Sequence, residues 1–317
     1  MATHRLTSTP ETVRWGVFDA AIPPVLTVRS GDSVTLECVS GSPEVMPPPG
    51  SPFRVPQSLA EIHASVPRQG AHIITGPVAV AGAAPGDMLE VRIEAIELGL
   101  DWGYCGFRPL AGTLPEDFPE RFLSHIPIDR ARNACRLPHG AELPLAPFFG
   151  VMGVAPPPAY GAINTKEPRE HGGNLDNKEL VAGTTLFLPV WTEGANFSAG
   201  DGHGVQGDGE VCINALETFL TGTFTLALHK GGGARDPMLR FPRAETATHF
   251  ISMGAHEDLD LAMKQALREM IAFICARSNL SRQEAYQFCS LAVDFRVTQT
   301  VNGEKGVHGM LRKGLLF

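Results

Sequence analysis

The chain has 317 residues and a formal charge of −8. That length allows one large core or two interlocked ones, and that charge disfavours a nucleic-acid backbone or an anionic membrane surface as partner. Hydrophobic residues make up 43 % of the chain, ordinary for a folded soluble protein, and no apolar run approaches the roughly twenty residues of a membrane helix.

The first sixteen residues, MATHRLTSTPETVRWG, lack an apolar core and a small-residue cleavage site, so they do not read as a secretory signal. Residues 25–39 hold two alternating runs around Ser-Gly-Asp, a strand–turn–strand pattern. Residues 41–59 are Pro-rich and polar, a loop that can lie over a site. Residues 73–96 repeat the first pattern around Pro-Gly-Asp; SGDSVTLEC and PGDMLEVRI hint at an internal β repeat. Residues 99–132 are irregular and aromatic, with Trp102 and Arg108 able to line a pocket but reading first as a packed surface loop. An apolar strand falls within 143–160, a polar Gly-rich cluster at 171–178, and strands are expected over 184–192 and 211–229. The GGGAR run at 231–235 reads as a turn without chemistry.

Beyond residue 257 the character changes. Apolar residues from Leu259 to Ile274 recur at helical spacing, with Asp258 or Glu257 as N-cap. Ser281 and Glu284 form a capping box for a second helix that buries Ala285, Phe288 and Ala292, and residues 295–301 alternate like a strand. The fold class expected is α+β: a mostly β body of packed sheets or a barrel, with helices concentrated in the C-terminal part. It is expected as a single interlocked unit over 1–317, with a β-rich part at 1–160 and the site loops, strands and helices at 161–317. Six cysteines scattered without close pairing fit a reducing, cytoplasmic setting.

The chemistry concentrates in residues 194–214, GANFSAGDGHGVQGDGEVCIN. Asp201, His203, Asp208 and Glu210 are interleaved there with five glycines, a composition that reads as a polar loop between strands. Carboxylates beside an imidazole suit a divalent cation, zinc first and calcium as the alternative; no other cofactor is indicated. Asp201 and His203, two residues apart, share a side if the backbone is extended there and make the best local metal pair. Asp176 and His72 are the candidates for closing the shell from other segments. Glu210 is the candidate base or proton shuttle, with Asp208 beside it as ligand or orienting group. His72 reads equally as a strand-edge histidine, His171 as a loop hydrogen-bonder and Asp176 as a cap. Cys212 with Glu210 and Lys178 is a competing nucleophile arrangement.

Several segments, GDGHGVQGDGEVC, HGGNLDNKEL, TLFLPVWTEGANFSAGD, AVAGAAPGDMLEVRI, VRWGVFDAAIPPVLTVRSGD and AVDFRVTQTVNGEKGVHGML, resemble the acetamidase/formamidase family. The resemblance runs from about Arg14 to Phe317. It implies hydrolysis of small aliphatic amides to a carboxylate and ammonia, a mostly β fold with late helices, a bound divalent metal and a homodimer or higher oligomer. The sequence departs from the pattern at Ile73, where a proline is expected, and at Glu170, where a basic residue is expected. The competing functions are a lactamase acting on small cyclic amides and a non-catalytic β-protein stapled by a cation.

Overall fold

The computed structural model describes residues 1–232 and 239–317, so residues 233–235 of the expected GGGAR turn lie outside the described residues. A nine-stranded sheet runs in the order Thr3–Leu6, Asp32–Cys38, Leu220–His229, Met88–Leu98, Thr185–Pro189, Arg243–Glu245, His249–His256, Lys305–Arg312 and Val293–Gln299. A second sheet orders Gly172–Asn174, Phe148–Gly153, Phe197–His203, Ile73–Val80 and Val13–Trp15, with Leu26–Val28 also paired to Ile73–Val80. Phe149 and Phe197 of the second sheet both place their rings 5.5 Å from Phe224 of the first. Val34, Val91 and Met152 join the same buried cluster, so the two sheets bury a shared face as in a sandwich.

The suspected repeat has a physical basis. Asp32–Cys38 and Met88–Leu98 flank Leu220–His229 on its two sides, both antiparallel to it. Each is entered by the same turn: Gly31 (φ 89) and Gly86 (φ 91) adopt the left-handed backbone. The following Asp32 and Asp87 carboxylates accept from Arg29 N at 3.0 Å and Ala84 N at 2.8 Å.

The long helices come late. Leu259–Arg277 is capped by Asp258, whose side chain accepts from Leu261 N, and Arg282–Ala292 opens on the Ser281/Glu284 capping box. They close a separate apolar cluster against the nine-stranded sheet through Met270, Ile274, Ala285, Cys289, Phe250 and Leu311. Gln57–Ser65 is a further helix, and its first turn begins inside the 41–59 stretch expected to be loop. Leu59 and Ile62 bury fully in one apolar cluster with Trp15 and Ile73, and that burial outweighs the prolines before them. The irregular aromatic stretch is instead a hairpin, Trp102–Phe107 paired with Phe122–Asp129, and Trp102 is core at 1 % exposure.

Candidate metal and catalytic site

The site is built on the strand Phe197–His203, hydrogen-bonded between Phe148–Gly153 and Ile73–Val80. The expected Gly-rich loop is therefore a buried strand as far as His203, followed by turns and isolated bridges until the next strand opens at Leu220, not at 211. The reason is close packing: a Cβ added to Gly200 would lie 2.3 Å from Ile73 O, and one on Gly202 2.6 Å from Thr218 O. Asp176 (φ 44), Asp201 (φ 57) and Glu210 (φ 44) all hold the left-handed backbone. Non-glycine residues use that region sparingly, and such strain gathers at functional sites.

His203 stands at the centre with its side chain 1 % exposed. Its Nε2 lies 3.2 Å from Asp201 Oδ2 and 3.4 Å from Glu217 Oε2, while Nδ1 faces Asp176 Oδ1 at 3.9 Å. His72 Nε2 approaches Asp201 Oδ2 at 3.8 Å from a partly open position. Asn302 Nδ2 donates to Asp176 Oδ2 at 2.5 Å, and Gln206 Nε2 donates to the Asp176 carbonyl at 2.8 Å. Donor atoms of Asp176, His203 and Glu210 lie within 4.8 Å of one another, and so do those of Asp201, His203 and Glu217.

Four buried carboxylates thus crowd one buried imidazole. Burial, with the Asp176 charge behind it, pushes the Glu210 carboxyl well above its usual range. Burial likewise raises Asp176 and Glu217. Burial pulls His203 down, but the Glu217 and Asp201 carboxylates outweigh it and hold the imidazolium well above its usual range. Burial raises Asp201, and the His72 and His203 charges more than offset it, keeping that carboxylate ionised. Four carboxylates outnumber the imidazolium among them, so the cluster is short of positive charge.

These residues fit a divalent cation. His203 Nδ1 and Nε2, Asp176 Oδ1 and Glu210 Oε2 are buried without a hydrogen-bond partner, and buried polar atoms rarely stay so. The 3.2 Å approach of His203 to Asp201 is a close ionic contact rather than an aligned hydrogen bond. Gly150 leaves the space: a Cβ there would sit 2.5 Å from both Asp176 Oδ1 and Asp201 Oδ2 and 2.8 Å from His203 Cε1. Imidazole and carboxylate donors in one shell are a zinc set, and the oxygens alone also suit calcium.

Of the residues singled out in the sequence, His72, Asp176, Asp201, His203 and Glu210 are brought together. Asp208 is turned aside, with Oδ2 2.9 Å from Lys178 Nζ and about a third of each side chain exposed. Glu217, Gly150 and Asn302 complete the site without standing out in the sequence. A carboxylate inside the apolar run LETFL was the available signal for Glu217; Gly150 and Asn302 carry none. His171 is not a loop hydrogen-bonder: it is buried, both ring nitrogens lack partners, and its ring meets Phe18 edge-on at 5.0 Å.

The cluster opens into a cleft of ≈ 770 Å³, lined at depth by His72, Tyr104, Asp201, Glu210 and Glu217 and at its mouth by residues that include Arg108. Glu44 and Val45 of the Pro-rich segment also line it. Behind the Glu210 turn lies a second cavity of ≈ 270 Å³, where Cys105 Sγ and Cys212 Sγ stand 3.7 Å apart. The Cys105 thiol lowers the neighbouring Cys212 thiol to about 6.

The sequence matches the model of the acetamidase/formamidase family over residues 5–167 and 157–305. The chain belongs to that family. It is 33 % identical to an acetamidase from Bacillus halodurans, whose crystal structure superposes with a TM-score of 0.83 over 97 % of both chains. It is 26 % identical over 259 residues, 65 % of its length, to a Schizosaccharomyces pombe protein assigned as a formamidase, and spans 61 % of that protein's length. A gamma lactamase from Delftia acidovorans, 23 % identical over 99 % of this chain and 93 % of its own with a TM-score of 0.66, shares the fold.

Proposed function

We propose that this family member is a metal-dependent amidohydrolase that cleaves short aliphatic amides, formamide and acetamide above all, to a carboxylate and ammonia. The observation that carries the reading is the meeting of His203 with Asp176, Asp201, Glu210 and Glu217 at the base of the cleft. The names of the relatives support the reaction class.

An unactivated amide needs its carbonyl polarised, its attacking water deprotonated and its departing nitrogen protonated. Asp201, His203 and Asp176, with Glu217 and His72 beside them, would hold a divalent cation, zinc before calcium, which supplies the Lewis acid. Glu210 takes the proton from water and returns it to the amide nitrogen. Its burial suits that task, because raising the carboxyl above its usual range makes the carboxylate a stronger proton acceptor. Asp208, through Lys178, steadies the turn that presents Glu210.

The six cysteines are free, which supports a reducing, cytoplasmic setting. Among the described residues no helix is long and apolar enough to cross a membrane. Leu110, Leu114, Phe118 and Phe122 expose 93, 47, 50 and 58 % of their surfaces, and apolar patches of this kind support self-association as a homodimer or larger oligomer. Light scattering at micromolar concentration should show more than a monomer.

The test is ammonia release from formamide and acetamide, and ring opening of 2-pyrrolidinone, before and after chelation. Linear amides should turn over, chelation should stop turnover and zinc should restore it. Turnover of the lactam alone would make the enzyme a lactamase. A chain that melts earlier after chelation yet hydrolyses nothing in any metal form would be a cation-stapled β-protein.

A further inference from the structure

We infer that Cys105 and Cys212 form a disulfide when the protein meets a hydroperoxide, and that this bond shifts Glu210 and slows the enzyme. The second half rests on the amidase reading above.

The geometry starts from the 3.7 Å separation of the two Sγ atoms. Both thiols also point at one acceptor, the Asn214 carbonyl, at 3.7 and 3.5 Å. A disulfide requires about 2.0 Å between sulfurs, so closure needs a movement of under ~2 Å, shared between two side chains. Cys105 lies in the strand Trp102–Phe107, paired along its length with Phe122–Asp129. Cys212 lies in the 204–219 stretch, which is held by turns and isolated bridges. The cross-link therefore pulls the turn toward the strand. That turn carries Glu210 (φ 44) and Ile213 (φ 82), and Ile213 N donates to Glu210 O at 3.0 Å. Displacing a reacting group by even ~1 Å can cost about a hundredfold in rate.

Access is provided. Both thiols are partly exposed, and both line the ≈ 270 Å³ cavity, ample for hydrogen peroxide. In the first step one sulfur, as thiolate, attacks the peroxide O–O bond, giving a sulfenic acid and hydroxide or alkoxide. The second thiol then displaces hydroxide from the sulfenic sulfur. Overall two thiols lose two electrons and two protons, and the hydroperoxide is reduced to water and, for an organic peroxide, an alcohol. Cys135 is buried in the wall of the same cavity, and Cys38 and Cys289 are buried elsewhere.

The experiment treats the reduced holoenzyme with one equivalent of hydrogen peroxide and reads thiol count, peptide masses and acetamide turnover. Two thiols should disappear, a Cys105–Cys212 cross-linked peptide should appear, and turnover should fall at least tenfold and recover with dithiothreitol. Cys105→Ser and Cys212→Ser should each abolish the cross-link, and Cys105→Ser should hydrolyse acetamide at the normal rate before oxidation. Oxidation confined to other cysteines, or sulfinic acid in place of the cross-link, would overturn the pairing. A cross-link that leaves turnover unchanged would overturn the coupling to Glu210. Mass spectrometry reads the pairing even in a chain that hydrolyses no amide, so failure of the amidase reading is distinguishable.

Discussion

Glu217 Oε2 lies 3.4 Å from His203 Nε2, and the same two residues face each other across a main-chain bridge. The backbone contact fixes the side-chain contact. Gly204 N donates to Leu216 O and Thr218 N donates to Gly202 O, both at 2.7 Å, so the main chains on either side of the two residues hold the carboxylate beside the imidazole. Glu217→Gln should keep the fold, since size and hydrogen-bonding reach are preserved. It should lower metal affinity by about tenfold or more, the usual cost of losing a ligand or the partner that orients one. Elemental analysis after dialysis checks this, and full occupancy in the variant would remove Glu217 from the cation's surroundings.

The sequence showed where chemistry gathers but not how the segments meet. Asp201 and His203 were legible as a pair from their spacing, and their side chains do touch, although Asp201 itself (φ 57) departs from the extended backbone that simple alternation assumes. The β body and late helices were legible from periodicity and from the caps at Asp258 and Ser281. What was illegible depends on crossings distant in sequence. Glycine is ambiguous in one dimension: Gly200 and Gly202 look like loop residues, yet they admit neighbouring backbone. Asn302 meets Asp176 from 126 residues away, and no local pattern encodes that contact.

Gly150 offers a direct test of the space at the centre. Gly150→Ala would drive a methyl group to 2.5 Å from Asp176 Oδ1 and Asp201 Oδ2, both on buried side chains that cannot swing clear. Overpacking of this kind costs roughly 1–3 kcal/mol, and bound metal and turnover should fall together. Gly207→Ala, with nothing within 4 Å of the added Cβ, should be nearly neutral. Melting temperature, metal content and acetamide hydrolysis on both variants check the contrast. Normal activity in Gly150→Ala would show that the centre is not confined.

His171 predicts a pH dependence of stability. Burial, followed by the charge of Arg169, lowers its imidazole from 6.5 to about 3. The unfolded chain takes up the proton first as pH falls. The stabilising contribution is therefore complete above about pH 6.5 and is lost progressively toward pH 3. Two pH units below 6.5 the loss is about 3 kcal/mol, at about 1.4 kcal/mol per unit. Ring nitrogen shifts in the folded protein should show His171 neutral at pH 5, and an imidazolium there would refute the assignment.

Glu210 and Asp208 stand two residues apart in one acidic, Gly-rich run, and only their surroundings separate them. Glu210 is 6 % exposed and raised by burial, with Oε2 unpartnered and a donor atom within 4.8 Å of those of Asp176 and His203. Asp208 is half-open and paired with Lys178, and an exposed pair of this kind contributes about 0–1 kcal/mol. Glu210→Gln keeps the shape of the side chain but cannot accept a proton. It should retain metal, bind amide and turn over about a hundredfold or more slowly, the usual scale for a lost general base. Asp208→Asn should keep its metal and most of its rate. Metal content and amide hydrolysis measured on the same preparations separate the outcomes. If metal leaves together with rate in Glu210→Gln, the residue is a ligand, because an amide oxygen is a poorer donor to a divalent cation than a carboxylate. If Glu210→Gln keeps both metal and rate, the proton acceptor lies elsewhere, and Cys212, two residues on, becomes the group to replace next.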